Sequence, residues 1–423
     1  MSRHVITIIG TGMGPADLAA EAREAREATE AREALAQADV LVGGKRFLDA
    51  YATEKIIIGA DVPAVLDAAE IAARSGKRVV VLASGDPLFF GIGAAFAERF
   101  GAENLRIFPA VSSLQEAAAR LALPWNNVTP VSLHGREGML AMLSLAHALL
   151  QGGPLCVLTD GTRTPAHIAA YMTERGRTRY TAAVLARLGM PDETVWRGTL
   201  AELLYGGPSQ QECPAPNVLF LLPDTGGEPS SLCLGRGDDD FAHEKSLITK
   251  WPVRAAALAA LRIEPAHTVW DLGAGSGAVA VEAASLAYRG HVVAVEKDAA
   301  RVTHIAENRR RFGAANLDIT HAAIHSALPA LPAPHRVFIG GGLGASDEET
   351  TDTLQTVWTR LLPGGRIVIS CVLLSSLEKA KKTLQSFDAP FTITQVQTST
   401  AAPLGDDVHL RAANPVFLLS AQK

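Results

Sequence analysis

"VWDLGAGSGAVAVEAA", residues 269–284, sets an apolar β-branched run, an acid, three glycines within five residues and an alanine-rich stretch in that order. Strand, tight loop and helix follow one another in such a pattern. The glycines free the backbone for the turn and let a ligand approach the helix N-terminus closely. With Ala278, the loop Gly273-Ala274-Gly275-Ser276-Gly277 also fits the relaxed dinucleotide pattern G-x-G-x-x-A, so glycine spacing alone does not name the ligand.

Two acids narrow the choice. Asp271 ends the strand before the loop, where its carboxylate can hold the ammonium group of a methionine moiety and would repel a dinucleotide pyrophosphate. Glu296 ends the next apolar run, "HVVAVEKD", placed to accept hydrogen bonds from ribose hydroxyls. Together they favour S-adenosylmethionine. An NAD-dependent oxidoreductase using the 273–278 loop is the alternative, and a non-catalytic adenosine sensor is a further one. "GGGLG" (340–344) follows another strand, which makes Gly340 a candidate to line the same cleft.

Around the loop, "VRAAALAAL" (253–261) reads as a helix, and "RVFIGG" and "RIVISCV" as further strands beside glycines. This is the order of a doubly wound, Rossmann-like parallel sheet, whose ligands sit at the carboxyl ends of the strands. Such a loop normally opens a domain, yet it stands beyond the middle of 423 residues. At roughly 100–200 residues per domain the chain is expected to hold two domains. "PDTGGEPSSLCLGRGDDD" (223–240) is rich in Gly, Pro, Ser and Asp and has no sustained period. We therefore expect domains over 1–224 and 240–423, with a linker at 225–239.

The first half has its own glycine turn, "TIIGTGMGP" (7–15), with Gly10 and Gly12 after a strand at Val5–Ile9. A stretch of A-R-E-A units follows, rich in strong helix formers and expected to be a long, solvated helix. Strands at 78–83, 155–160 and 218–223 alternate with helical stretches, so this half is also α/β. "LASGDPLFFGIG" (82–93) runs from a strand into a turn at Gly85, Asp86 and Pro87 that can present backbone amides to a ligand. In "PAVSSLQEAAARLALPW" (109–125), Ser112 or Ser113 can cap a helix or bind a carboxylate. His134 and Arg136, in "VSLHGRE", suit an acidic substrate.

Totals exclude several classes. A formal charge of −5 with no basic tract argues against broad nucleic-acid binding. No stretch of 18 apolar residues and no apolar signal core point to a soluble, cytoplasmic chain without membrane partners. The four cysteines lack CxxC spacing, which suits reduced thiols and no metal.

Taken together, "DDDFAHEKSLITKWPVRAAALAAL", the Asp-Leu-Gly-Ala-Gly-Ser-Gly loop, "AVEKD", "NRRRFG", "RVFIGGG", "LLPGG" and "NPVFLL" resemble the CbiT-type precorrin methyltransferase domains of cobalamin biosynthesis, over residues 238–423. In the first half, "IIGTGMGP", "ADVLVGGKRFL", "ASGDPLFFGIG", "AVSSLQ", "SLHGR", "LTDGTRTPAHIA" and "ARLGMPDE" resemble the CbiE-type members of the tetrapyrrole methylase family, over residues 4–223. That family folds as two α/β subdomains. The A-R-E-A stretch near residues 19–35 departs from it, standing where a shorter, more varied segment is expected.

Joined in this order, the halves resemble the bifunctional precorrin-6Y C5,15-methyltransferase (decarboxylating) family. The resemblance implies one S-adenosylmethionine per domain, a small-molecule tetrapyrrole substrate, precorrin-6Y, and a homo-oligomer. It implies C5 methylation by the first domain, and C15 methylation with decarboxylation by the second. The cofactor residues expected are Gly10, Gly12, Gly85, Asp86, Pro87, Ser112 and Ser113 in one, and Asp271, Gly273–Gly277, Glu296 and Gly340 in the other. A substrate bearing several carboxylates calls for cations at the cleft mouth. Lys250 and Arg254, ahead of the first strand of the second domain, and Arg46 and Arg136 in the first are the candidates, with His243 as a candidate proton shuttle.

Overall fold

The computed structural model describes residues 5–11, 25–133, 142–209, 212–224, 232–244, 247–341, 343 and 346–423; for 25–28 it describes the backbone alone. The chain divides into two compact units: Met1–His134 with Gly153–Ala166 and Thr181–Leu222, and Gly135–Gly152 with His167–Tyr180 and Pro223–Lys423.

Two five-stranded sheets build the first unit. One contains β1 (Ile6–Gly10), β2 (Val40–Gly43), β3 (Glu54–Ile57), β4 (Val79–Ala83) and β5 (Leu105–Phe108), in the order β3-β2-β4-β1-β5 and parallel throughout. Strands β2 and β4 are buried on both faces, which is why they read as unbroken runs, "VLVG" and "VVVLA", rather than as alternation. The other sheet holds β6 (Thr129–Ser132), β7 (Leu155–Leu158), β8 (Tyr180–Ala186), β9 (Thr194–Thr199) and β10 (Asn217–Pro223), in the order β6-β7-β10-β8-β9. Of the A-R-E-A stretch, Ala25–Ala36 is helical.

In the second unit lie β11 (Thr268–Leu272), β12 (His291–Glu296), β13 (Leu317–His321), β14 (Arg336–Ile339), β15 (Arg366–Cys371), β16 (Phe391–Val396) and β19 (Val416–Gln422), with a hairpin of β17 (Ser399–Leu404) and β18 (Asp407–Ala412) between the last two. The sheet order is β13-β12-β11-β14-β15-β19-β16. The first five strands are parallel, and β19 runs antiparallel to both its neighbours. The chain leaves β11 for β12 on one side and later reaches β14 on the other. This reversal opens a crevice above the carboxyl end of β11.

Successive residues of β11 serve opposite cores. Val269 packs with the helices Trp251–Leu261 and Ala278–Leu286, and Trp270 packs on the other face, where its indole Nε1 donates to the Pro332 carbonyl at 3.0 Å. The helix after the loop is buried along Ala278–Ala284, which its small residues permit. Among the described residues, no helix is long and apolar enough to cross a membrane.

Candidate functional site

Gly273, Gly275 and Gly277 have φ of +70°, +59° and +74°, a region that strains residues with a side chain. Gly273 is constrained twice: a Cβ there would lie 2.4 Å from the Gly341 carbonyl oxygen. At Gly277 a Cβ would meet Ile305 at 2.8 Å, so this third glycine serves helix packing. The first three residues of the loop are tied to β12. The amides of Gly273 and Ala274 donate to the Val295 carbonyl at 2.9 and 3.0 Å, and the Gly275 amide donates to Glu296 Oε2 at 2.8 Å. Glu296 Oε1 accepts from the Lys297 and Asp298 amides at 3.0 and 3.1 Å. The carboxylate thereby has a fixed orientation at the end of its strand.

Asp271 is buried to 1 % exposure. Its Oδ2 accepts from the Ala280 amide at 3.0 Å, while Oδ1 has no hydrogen-bond partner. Burial raises the carboxyl pKa to about 7; the Ala280 amide opposes that rise and the nearby Glu296 charge adds to it. A buried carboxylate oxygen without a donor fits a cation that comes with the ligand.

Asp271, Gly273–Ser276, Glu296 and Gly340 line one cleft of about 1520 Å³. It lies at the carboxyl ends of β11, β12, β14 and β15. These residues fit S-adenosylmethionine: the glycine loop for close backbone approach, Glu296 for the ribose, and Asp271 for the ammonium group.

The first unit gathers its glycine turns in the same manner. Gly10 ends β1, and a Cβ on it would come within 2.8 Å of the Gly85 carbonyl oxygen and Ala110 Cβ and 2.9 Å of Pro87 Cδ. The carboxyl ends of β1, β4 and β5 thus converge. Gly85 has φ of +62°, and Asp86 Oδ1 accepts from the Leu88 and Phe89 amides at 2.8 and 3.2 Å, which fixes the turn. Ser112 caps the helix Ser113–Leu121 in a capping box with Gln115, and half-buried Ser113 is that helix's first residue.

Residues 5–204 match the family described as tetrapyrrole (corrin/porphyrin) methylases, and residues 239–423 match the precorrin methyltransferase domain. A precorrin-6Y C(5,15)-methyltransferase [decarboxylating] from Sinorhizobium sp is 33% identical over 373 residues, 87% of this chain and 84% of the relative. The chain belongs to the precorrin-6Y C5,15-methyltransferase (decarboxylating) family. Single-function relatives are similar to parts of it. The cobalt-precorrin-7 C(5)-methyltransferase of Salmonella typhimurium is 34% identical over 194 residues, 45% of this chain and 89% of the relative. The cobalt-precorrin-6B C(15)-methyltransferase (decarboxylating) of the same organism is 33% identical over 177 residues, 42% of this chain and 89% of the relative. The nicotinamide alternative finds no support among these relatives.

In this member of the precorrin-6Y C5,15-methyltransferase family, the expected cations have unequal surroundings. Lys250 lines the cleft, its Nζ 3.4 Å from Asp238 Oδ2. Arg254 does not stand at the cleft mouth. It is fully buried, its guanidinium 2.8 Å from Glu282 Oε1 and donating to the carbonyls of Thr249 and Arg236, so no group is left to meet a substrate. Its position on the helix Trp251–Leu261 explains the difference: Lys250 is the N-cap and Arg254 faces inward. His243 is not among the cleft-lining residues; its Nδ1 lies 2.9 Å from the Phe241 carbonyl. Arg46 donates to Ser84 Oγ at 3.1 Å, beside the Gly85 turn, and lies over the Phe47 ring. Gly12, His134 and Arg136 lie outside the described residues.

Sequence reading missed other residues of the cleft. Val372 and Leu373 line it beyond β15, and Lys379 lines it from the helix Leu374–Ser386. The run "RIVISCV" reads as one apolar strand through Val372, and "LL" continues its apolar letters. In the structure β15 ends at Cys371, and no signal in the apolar run marks that end.

Proposed function

We propose that the chain is a bifunctional S-adenosylmethionine-dependent methyltransferase of corrin-ring biosynthesis. It methylates precorrin-6Y at C5 and C15 and decarboxylates the C12 acetate side chain, giving precorrin-8. The observation that carries this reading is the relative matched over 87% of the chain, across both halves. The domain division at 225–239 and one cofactor per domain belong to the same proposal. C5 methylation is assigned to residues 1–224, and C15 methylation with decarboxylation to 240–423, supported by the two family matches at 5–204 and 239–423.

S-adenosylmethionine, when bound, supplies an electrophilic methyl group to an enamine-like meso carbon of the reduced tetrapyrrole. The chain's own residues position and shield. Asp271 would hold the ammonium group through its free Oδ1, and Glu296, which braces the Gly275 amide, would hold the ribose. Gly273, which has no room for a Cβ beside Gly341, would let the cofactor approach the loop backbone closely. An electron-rich carbon needs little activation, so orientation and exclusion of water carry the rate. No catalytic dyad is required. In the decarboxylation the substrate's conjugated imine takes up the electron pair left by carbon dioxide, and a proton completes the methyl group. The buried free thiols of Cys156, Cys213 and Cys371 suit the reducing cytoplasm in which we place the enzyme.

Incubation of the full chain with precorrin-6Y and methyl-labelled S-adenosylmethionine tests the reading. It requires two labelled methyl groups and one carbon dioxide per macrocycle. A product with no added methyl group refutes it.

A further inference from the structure

Along the sheet the cleft has a direction. Glu296 ends β12, Asp271 ends β11 next to it, and Gly340 follows β14 on the other side of β11. Glu296 and Asp271 would take the ribose and the ammonium group on the β12 and β11 side of the cleft, which leaves the β14 and β15 side for the acceptor. There the chain emerges from β15 as Val372 and Leu373, both cleft-lining, with exposures of 58% and 64%. Two large apolar side chains left in water at the rim of a cleft are a surface waiting for an apolar partner.

Cations flank them. Lys379 stands one and a half turns into the following helix, its Nζ 2.6 Å from Asp347, an exposed carboxylate that a substrate carboxylate can replace at small cost. Lys250 stands on another wall of the cleft, half exposed. Size agrees as well. A pocket for one drug-sized ligand runs about 300–1,000 Å³, whereas this cleft measures about 1520 Å³ and has room for the cofactor and a second large molecule. A large apolar ring edged with acids matches this pairing of ledge and cations.

We infer that Val372 and Leu373 form the ledge on which the tetrapyrrole ring lies for C15 methylation and decarboxylation, with Lys379 and Lys250 receiving its acid side chains. The inference rests on the functional reading above and adds the residues that bind the acceptor. These are positioning residues: they hold the ring against the cofactor end of the cleft and take no part in bond making.

Carbon dioxide release from precorrin-6Y by the full chain tests it, with S-adenosylmethionine binding followed separately by calorimetry. Leu373→Asp and Lys379→Glu are expected to raise KM for precorrin-6Y by about tenfold or more while kcat stays within about twofold, because uniform binding is lost. Cofactor affinity is unchanged in both. Leu374→Asp is the comparison: Leu374 is 69% exposed, adjacent in sequence and not cleft-lining, so its KM stays at the wild-type value. Should Leu373→Asp fold poorly, Leu373→Ser and Lys379→Gln give the same ranking with smaller shifts. Unchanged KM in active variants overturns the ledge, as does a fall in kcat with KM unmoved or an equal effect of Leu374→Asp. A wild-type chain that binds cofactor but releases no carbon dioxide overturns the functional reading and the ledge with it.

Discussion

Asp271 and the Ala280 amide are joined by a 3.0 Å hydrogen bond that uses one oxygen of a buried carboxylate and leaves the other without a partner. The helix N-terminus is thereby held to the strand, and half of the carboxylate remains for a ligand. Because the carboxyl pKa stands near 7 before any cation arrives, cofactor binding and ionisation are linked. The ammonium group favours the ionised form. Affinity at this site therefore falls about tenfold per pH unit below 7, and falls again above about 8 as the cofactor's own α-amino group loses its proton. Calorimetry from pH 5.5 to 9 should give a maximum between these limits. Asp271→Asn should remove the acidic limb and weaken binding at pH 7.5 by about tenfold or more. The sign for stability is opposite: a carboxyl with a raised folded pKa contributes stability at low pH that is lost as pH rises from 3.8 toward 7. Ligand-free Asp271→Asn should thus melt higher than wild type at pH 8.

Glu296 receives three backbone amides, from Gly275, Lys297 and Asp298. Glu296→Ala removes the proposed ribose acceptor and the brace on the glycine loop together. Titration of the full chain with S-adenosylmethionine should give two sites for wild type and one for the variant. Two sites retained in the variant would show that the ribose is held elsewhere.

The two glycine turns give a complementary pair of variants. Gly273→Ala places a methyl group 2.4 Å from the Gly341 carbonyl at a φ of +70°, a strain on the order of 1–3 kcal/mol centred on the loop. Gly10→Ala drives a methyl group into Gly85, Pro87 and Ala110, closing the convergence of β1, β4 and β5. Each single variant should bind one equivalent of cofactor and the double variant none, with secondary structure by circular dichroism close to wild type.

The sequence displayed the parts of the fold that obey short-range rules. Strands buried on both faces stand out as unbroken runs such as "VVVLA", and the loop at 273–277 announces its turn through its glycines, while Asp271 and Glu296 favour a ligand without fixing it. Placement of long polar side chains is another matter. Lys250 and Arg254 are one helical turn apart in similar local sequence, yet one lines the cleft and the other lies in the core, because the buried partner, Glu282, is 28 residues away. Val372 and Leu373 were hidden for the converse reason: apolar letters continuing a strand read as core, and only the end of β15 puts them at a rim.

Arg254 offers the test of that distinction. Its guanidinium and the Glu282 carboxylate are 0% and 1% exposed and 2.8 Å apart, and Asp238 approaches Arg254 at 3.4 Å. Removing one member of such a pair strands the other charge in the core, which typically costs about 3–5 kcal/mol. Arg254→Ala should therefore lower the melting temperature of this part of the chain by several degrees, while KM for precorrin-6Y in the protein that remains folded stays near the wild-type value. Arg254→Met together with Glu282→Leu, which removes both charges and keeps the volume, should recover much of the loss. A substrate-binding arginine would behave in reverse, with KM rising steeply, stability little changed, and no rescue from a second substitution at Glu282.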